Sequence, residues 1–537
     1  MSLNHGEHFL LSTIAILVFA VVPAHGKDAK SATPADQKLL RAAMAGETAD
    51  FSQDNDKHIS AAVLKKLMFG TPEVRVPGKR IVLKKAIVQF FDFKAEDKAK
   101  FSGSTPFEVV FDSCNFASFI CEGCRFRQDL RFYQTTFGVN SGGTGELVLT
   151  RAEIDGDLLL INNNTLTVGL DNARVAGTAD LSLPPSTALV ARGLKAQALQ
   201  IQASSHLNFS ADHAEVQTIN VRIDGDGTGT SGVGLRDVVA SSVMVTALGE
   251  GIALDASGLR ANAAIFGGGP AMGSNPKDLW MPIRADGLTL RRAVVDNLSV
   301  GGVRTDSLDA SGLAVKDTAS FDVDAKFADL SAGTFNTLNW SLHSFPETAE
   351  LDGISFQRFN VSPFPGSRPS ISSGIAFLSK ADFSGSGFSA YQSQLRSQGE
   401  NAEAEKLYVV MREKARLGYW KDWFTWPLGI ADLFQQYVLG FGRSPIPPLL
   451  WSLLFVAFGT FTFHDAAKMQ AKVEKPVDFS GAWYSLELFL PIVDLGVAKE
   501  WRPTAASKWR VVYARVHQIA GWILIPVTLA AFTGVVK

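Results

Sequence analysis

The sequence predicts a mostly β protein: a right-handed parallel β-helix, followed by an α-helical hairpin and an α-helical membrane domain. Three features of the 537-residue chain lead there. Between Leu149 and Phe356 the pattern apolar, two residues, small, one residue, apolar returns about every 20 to 25 residues. Ahead of it, bulky residues recur at a tighter spacing of about five. Beyond Phe388 the apolar period becomes helical, and two uncharged stretches long enough to cross a bilayer follow.

The repeat copies are Leu149–Ile154 (LTRAEI), Leu170–Val175 (LDNARV), Leu254–Leu259 (LDASGL), Ile283–Leu288 (IRADGL), Leu308–Leu313 (LDASGL) and Leu351–Phe356 (LDGISF). A unit this short cannot close a core alone and must stack on its neighbours, which makes the middle of the chain a solenoid. About ten turns at the inter-strand spacing of ~4.8 Å give a rod on the order of 50 Å long. From Phe111 through Phe116 and Cys121 to Phe126 the bulky positions are five apart, with Cys114 and Cys124 two places ahead of Phe positions. That is the spacing of a square-sectioned, pentapeptide-repeat-like coil whose central bulky residue and preceding small residue both point inward. The Gly-rich segments Gly225–Gly234 and Gly267–Gly273 read as loops bulging from the stack. Ile59–Phe69 has helical spacing and stops at Gly70, so it reads as a cap over the first open sheet edge. A further helical stretch lies near Gln37–Ala45, and Ile81–Phe93 alternates as strands do.

Composition bounds the partners. A net charge of −2 excludes nucleic acid or anionic lipid recruited by bulk charge. Apolar residues make up 46% and charged residues 19%, which fits a chain lying partly in a bilayer. At the N-terminus an apolar run, Phe9–Val22, ends at Pro23, Ala24, His25 and Gly26, resembling a signal peptide with its cleavage site before Lys27. The charge order disagrees, since no Lys or Arg precedes the run while Lys27 and Lys30 follow it. The expected organisation is a signal peptide over 1–26, a polar linker and cap helix over 27–100, the β-solenoid over 101–387, a helical hairpin and interfacial helix over 388–440, and the membrane domain over 441–537.

In the C-terminal part, Tyr391–Ser397 and Ala402–Leu417 form the hairpin around Gln398, Gly399 and Glu400. Trp420, Trp423, Phe424 and Trp426, then the run from Pro427 to Leu439, read as a helix lying at headgroup depth. Pro447–Phe463 and Val516–Val536 are the two spans. Between them Ala482–Gly496 is apolar yet carries Glu487, Pro491 and Asp494. A charge at mid-bilayer costs about 2.5 to 3.5 kcal/mol, so this segment dips in and returns or lies at the interface. Charge counting agrees. Lys468, Lys472 and Lys475 precede it and Lys499, Arg502, Lys508, Arg510 and Arg515 follow it; both groups share the cytoplasm only if the segment does not cross.

Several strings resemble a bacterial family of membrane-anchored, pentapeptide-like repeat proteins, some members of which carry the label "membrane-associated oxidoreductase". They are the cap around Ile59–Phe69, Ala152, Ile154, Gly156 and Ala173, Val175, Gly177 in the coils, and Gln398, Gly399 followed by Glu403 and Ala404. The C-terminal ones are the most specific: Gly440–Pro445, Tyr484–Glu487, Leu490–Gly496, Trp501–Pro503 and Gly521–Trp522. The order span, dipping helix, span also resembles the two-helix pore of potassium-type channels, with Tyr484, Ser485 and Leu486 at the pore-helix position. The filter differs: Pro491–Gly496 stands where a run of stacked carbonyls belongs.

Candidate chemistry is sparse. Gly227, Thr228, Gly229, Thr230, Ser231 and Gly232 spell a dinucleotide fingerprint, but solenoid turns flank it where a βαβ unit is required. Asp224 and Asp226 hint at calcium without the twelfth-position Glu. Cys121 and Cys124 form a CxxC with Cys114 close by; buried structural thiols, a local disulfide and a metal or redox site are the alternatives. His517 either faces a haem or proton path or is a polar residue at the membrane interface. Glu487 and Asp494 either line a cavity or face water. Trp501, Arg502 and Pro503 form an interfacial anchor, with Arg502 placed to pair with Asp494.

The sequence therefore leads to no catalytic, cofactor or metal site. It leads to a scaffold of the inner membrane with its solenoid in the periplasm, partnered by the bilayer and an envelope protein along the solenoid face, and open to self-association. A channel-like pore gated by the solenoid is the alternative, with Tyr484, Glu487, Pro491, Asp494, Gly496 and Arg502 as its residues. A redox enzyme is the third reading.

Overall fold

The computed structural model describes residues 32–70, 80–94, 96–138, 145–165, 167–225, 230–248, 251–268, 283–285, 287–341, 346–363, 367–381, 385–421, 423–490 and 492–533. The expected signal peptide, Pro491, Asp226, Gly227 to Gly229 and the 269–273 part of the second glycine segment lie outside them. Contacts divide the chain into residues 1–404 and 405–537.

The first unit is a parallel β-solenoid of about 11 turns, with 29 strands among the described residues joined in one sheet. Each coil carries one unbroken inward column from strand to strand, as in Leu147, Val168, Leu189, Phe209, Val233, Leu254, Leu288 and Leu308. Every one of these is buried. Alternation along each strand puts the partners of these residues outside, where they form ion pairs one coil apart. Examples are Asp171–Arg192 (2.8 Å), Glu215–Lys195 (2.9 Å), Asp309–Arg291 (2.6 Å) and Asp324–Arg304 (2.9 Å). Such exposed pairs add little stability each. The ladder itself holds the stack.

One corner of each coil turns through a left-handed residue. Arg151, Asn172, Gly193, His213, Asp237, Gly258, Arg292, Gly312, Ala332 and Gly353 fill this place with φ between 52° and 70°. From Arg151 to Ala332 their N–H groups reach the next coil, as Arg151 N does to Asp171 O (2.8 Å) and Asn172 N to Arg192 O (2.7 Å). Glycine and asparagine accept this conformation at little cost, whereas Arg, His and Ala are held in it by the ladder.

The corner corrects the repeat frame. Leu149, Leu170 and Leu351 start a corner, but in both LDASGL copies the start is Ala256 or Ala310, two residues after the Leu. Ile283–Ala285 is a strand paired with Val303–Thr305, and its coil turns later, at Leu290–Ala293. Inward positions recur every second residue, so a two-residue slip leaves both apolar sites inside and hides the error. Thr230–Gly234, expected as loop, is a strand between Asn208–Ser210 and Gly251–Asp255.

The early coils are filled with aromatic rings. Phe111 contacts Phe116, Phe119 and Phe132 at centroid distances of 5.1, 5.7 and 5.1 Å. Phe111, Cys114, Phe116, Cys121, Cys124 and Phe126 all point inward, as their spacing predicted.

Both ends of the stack are covered. At the first end, helix α1 (Pro34–Ala45) begins with a capping box between Thr33 and Asp36, and Asp36 also accepts the Ser60 N–H (2.8 Å). Helix α2 (Ala61–Phe69) places Phe69 against Phe93 (4.5 Å) and Phe126 (5.9 Å). The last strand, Ser355–Ser362, is followed by α3 (Ile371–Lys380), which lies inside the stretch assigned to the solenoid. Next comes α4 (Gly385–Ser397). Gln394 on α4 imitates a further strand: its Oε1 accepts the Phe359 N–H (2.6 Å) and its Nε2 donates to the Phe359 carbonyl (3.1 Å). Helix α5 (Asn401–Tyr419) begins after the Gln398–Glu400 turn, where Gly399 has φ 82°.

The second unit takes in α5 from Glu405, then α6 (Trp426–Tyr437), α7 (Ile446–Phe463), α8 (Gly481–Phe489), the single turn α9 (Val497–Glu500) and α10 (Lys508–Thr533). Asp432 of α6 is 1% exposed and meets Arg412 and Arg416 of α5. Arg443 Nη1 donates to both carboxylate oxygens of Glu405 (2.9 and 3.1 Å), and the guanidinium carbon lies 3.6 Å from the centre of the Tyr408 ring. Among the described residues, α7 and α10 are the two helices long and apolar enough to cross a membrane.

Replacing Gln394 with Leu leaves a buried N–H and C=O of Phe359 without partners. Chemical denaturation should show a loss of about 2 to 3 kcal/mol, with faster hydrogen exchange at Ser355–Ser362.

Candidate functional site

The site is the bundle of α7, α8 and α10. Two short strands fix its connectivity: Met469–Ala471, just after α7, pairs antiparallel with Trp501–Pro503, just before α10. The chain between them therefore leaves and returns at the same end of the bundle. Within that excursion α8 runs back alongside α7, with Tyr484 against Phe463 (4.9 Å) and Phe489 against Phe455 (6.2 Å). Nine residues of helix carry it about 13 Å down.

Glycine allows the approach. A Cβ on Gly459 of α7 would strike Ser485 and His517, and one on Gly521 of α10 would fall on the Phe489 carbonyl. Small residues at a helix contact let backbones pack closely without a water-driven force. The same contact holds a polar network. Ser485 Oγ donates to the Val456 carbonyl (3.0 Å), and His517 Nε2 lies 3.0 Å from the Ser485 carbonyl and 3.2 Å from Ser485 Oγ. Tyr513 Oη lies 3.2 Å from His517 Nδ1 and 3.4 Å from the Phe455 carbonyl. His517 is fully buried among Phe455, Phe463 and Phe489.

The residues singled out from sequence separate into two groups. Tyr484 is buried between Phe463 and Phe479. Glu487 is 8% exposed, and its Oε2 accepts the Ala498 N–H (2.8 Å) at the start of α9. Asp494 is exposed and pairs with Lys499, not with Arg502. That ammonium holds the Asp494 carboxyl below its ordinary range. Gly496 enters α9 at φ 84°. Arg502 lies in the ribbon opposite Gln470 with its side chain in solvent. Both carboxylates thus grip the α9 turn, one by its amide and one by its lysine.

The other candidates resolve plainly. Cys121 and Cys124 are joined as a disulfide, and Cys114 is a buried thiol. Gly232 of the dinucleotide string lies in a parallel coil opposite Asn208, with no helix following. Asp224 is engaged by Arg222 (3.0 Å). No cluster of three or more His, Cys, Asp or Glu residues suited to a metal occurs among the described residues.

Sequence reading missed the Ser485–His517–Tyr513 network and the pairing of Asp432 with Arg412 and Arg416. The first left a signal. Tyr513, His517, Gly521, Leu524 and Thr528 are the buried residues of α10 and recur at three and four, a stripe that combines a tyrosine, a histidine, a glycine and a threonine on one face.

Gly521→Leu should push α8 off α10, seen as increased hydrogen exchange across 481–489 with the coils at 149–356 unchanged. Burial pushes the Cys114 thiol up to about 12, so at pH 8 it stays protonated and the native protein should resist alkylation there, whereas unfolded protein reacts at all three cysteines once reduced. Comparison with protein-family models, with curated proteins and with solved structures finds no match to this chain, so the functional reading rests on the arrangement just described.

Proposed function

We propose that this protein is a membrane-anchored scaffold of the bacterial inner membrane: a right-handed, pentapeptide-repeat-like solenoid in the periplasm, tethered by the C-terminal bundle and presenting its long faces to an envelope partner. One observation carries the reading, the inverted packing of α7 and α10. Their buried faces carry Ser452, Gly459, Thr462, His517, Gly521 and Thr528 beside Pro448, Phe463, Tyr513 and Leu524, while Leu453, Leu454, Phe458, Phe461, Ile519, Trp522, Leu529 and Phe532 face outward. A helix pair solvated by water would reverse that order; one solvated by lipid keeps it. Trp420, Trp423, Phe424, Leu428, Ile430 and Phe434 form a second exposed apolar surface on the chain leading to α7. It suits a helix lying at headgroup depth. The disulfide in the first unit favours an oxidising compartment for the solenoid. The basic residues around Lys468–Lys475 and Lys499–Arg515 favour the cytoplasm for the ribbon end of the bundle.

The pore reading keeps one specific support. If α7 and α10 cross a bilayer, the exit of α8 at Phe489 lies at the level of Phe455, the middle of α7, and residues 492–495 are irregular and exposed, with Ile492 at 83%. Irregular backbone at that depth is tolerated where protein or water covers it, not lipid. Self-association around 490–496 would supply the cover and a lined path past Glu487 and Asp494.

A reporter fused at position 213 should be active outside the cytoplasm, and one in the 464–480 loop inside; equal sidedness overturns the topology. Purified protein in planar bilayers should show no conductance under the scaffold reading. A conductance abolished by Glu487→Ala or Asp494→Ala replaces it with the pore.

A further inference from the structure

We propose that His517 is a proton-binding site that ties α8 to both long helices, built to keep every hydrogen bond when its imidazole gains a proton. The partners decide the argument. A carbonyl can only accept, so the Ser485 carbonyl 3.0 Å from Nε2 fixes the hydrogen of the neutral ring on Nε2. Nδ1 is then an acceptor and takes the Tyr513 hydroxyl proton at 3.2 Å. That hydroxyl also stands 3.4 Å from the Phe455 carbonyl. When a proton from water arrives at Nδ1, the imidazolium donates to the tyrosine oxygen, and the tyrosine hydrogen turns to the Phe455 carbonyl. Ser485 Oγ keeps donating to the Val456 carbonyl in both states. One proton enters, one hydroxyl rotates, and no donor or acceptor is stranded.

A histidine serving only as a neutral strut needs Tyr513 as a donor and nothing beyond it. The second acceptor, Phe455 O, is what makes room for the charged form. Oriented dipoles do the remaining work: the imidazolium would face the Ser485 carbonyl directly and the Phe455 carbonyl through the tyrosine. The ionisable surroundings are few. α7 offers Phe455, Gly459 and Phe463, none of which titrates. On α8, Tyr484 packs edge-to-face on Phe463 and Glu487 is occupied by the Ala498 amide. On α10 the only ionisable contact is Tyr513. No carboxylate is hydrogen-bonded to the ring among the described residues, so the charge would be held by carbonyl and hydroxyl dipoles alone. Ser485 sits on α8, Tyr513 and His517 on α10, and Phe455 and Val456 on α7, so protonation reverses the Tyr513–His517 bond within α10 and turns Tyr513 onto α7 while both bonds to α8 persist.

The test is nitrogen NMR of the full chain in lipid nanodiscs, labelled at histidine. The chain has nine histidines, and His517→Gln identifies the resonances of interest. At about pH 8 they should report the neutral Nε2–H tautomer, and on acidification to about pH 5 both nitrogens should become protonated, reversibly. Tyr513→Phe should require a buffer about one pH unit more acidic for the same charged fraction. Should His517→Gln fail to fold, Ser485→Ala provides the assignment, because it perturbs the Nε2 resonance alone among the ring signals. A ring that stays neutral down to about pH 4.5 overturns the proposal, and so does a Tyr513→Phe titration matching the wild type.

Discussion

The backbone ladder of the parallel coils is the constraint on which the first unit depends. A parallel strand cannot satisfy its own N–H and C=O groups, so each coil is stable only between two others. This explains why left-handed corners persist at Arg151, His213, Arg292 and Ala332, where the side chain gains nothing from the conformation. Their N–H groups must reach the neighbouring coil, and the conformational penalty of about 1 to 2 kcal/mol is smaller than a lost buried hydrogen bond with its desolvation. It also explains the two ends. A ladder that stops presents unpaired groups, and the molecule meets them with helix α2 and Phe69 at one end and with a side-chain amide, Gln394, at the other.

The second unit obeys the opposite solvent logic. In the coils, large apolar residues are inside and charges outside; in α7, α8 and α10, glycine, serine, histidine and tyrosine share the interior with Phe463, Phe489 and Leu524, while most leucines, phenylalanines and tryptophans of α7 and α10 face outward. Where such helices lie in lipid, as proposed, hiding apolar surface gains little, and association comes from close backbone contact and interhelical hydrogen bonds. Gly459 and Gly521 supply the first and Ser485, Tyr513 and His517 the second. The two devices need each other. Hydrogen bonds of 3.0 to 3.4 Å between three helices are reached only because no Cβ stands at Gly459.

Much of this was legible in the sequence, for physical reasons. Periodicity of about 20 residues gave the solenoid, because a stacked coil must repeat its inward residues. The five-residue spacing from Phe111 to Phe126 put the right side chains inside. What failed was phase: both LDASGL copies were framed two residues early, since a strand repeats its facing every second residue. Gln394 was illegible because nothing local marks an amide that pairs with Phe359, distant in sequence. At the C-terminus Glu487 and Asp494 stood out as charges in an apolar run, yet their partners, the Ala498 amide and Lys499, depend on a turn that the run does not reveal. Arg502 was a fair partner by charge and the wrong one by place, because its strand pairs with Met469–Ala471 and sends its side chain to solvent.

The return of the chain at the ribbon links these observations. An excursion that starts at Met469–Ala471 and ends at Trp501–Pro503 has its ends pinned by backbone pairing, so its inner half can move only by releasing α8. What holds α8 is a short set of contacts: the Phe489 carbonyl against Gly521, the Ser485 bonds, and Glu487 on the α9 amide. Such a segment is locked by few interactions yet tethered at both sides, which confines any rearrangement to the bundle interior. His517 is the one ionisable ring in that set, so a change of its charge acts where the hold on α8 is made.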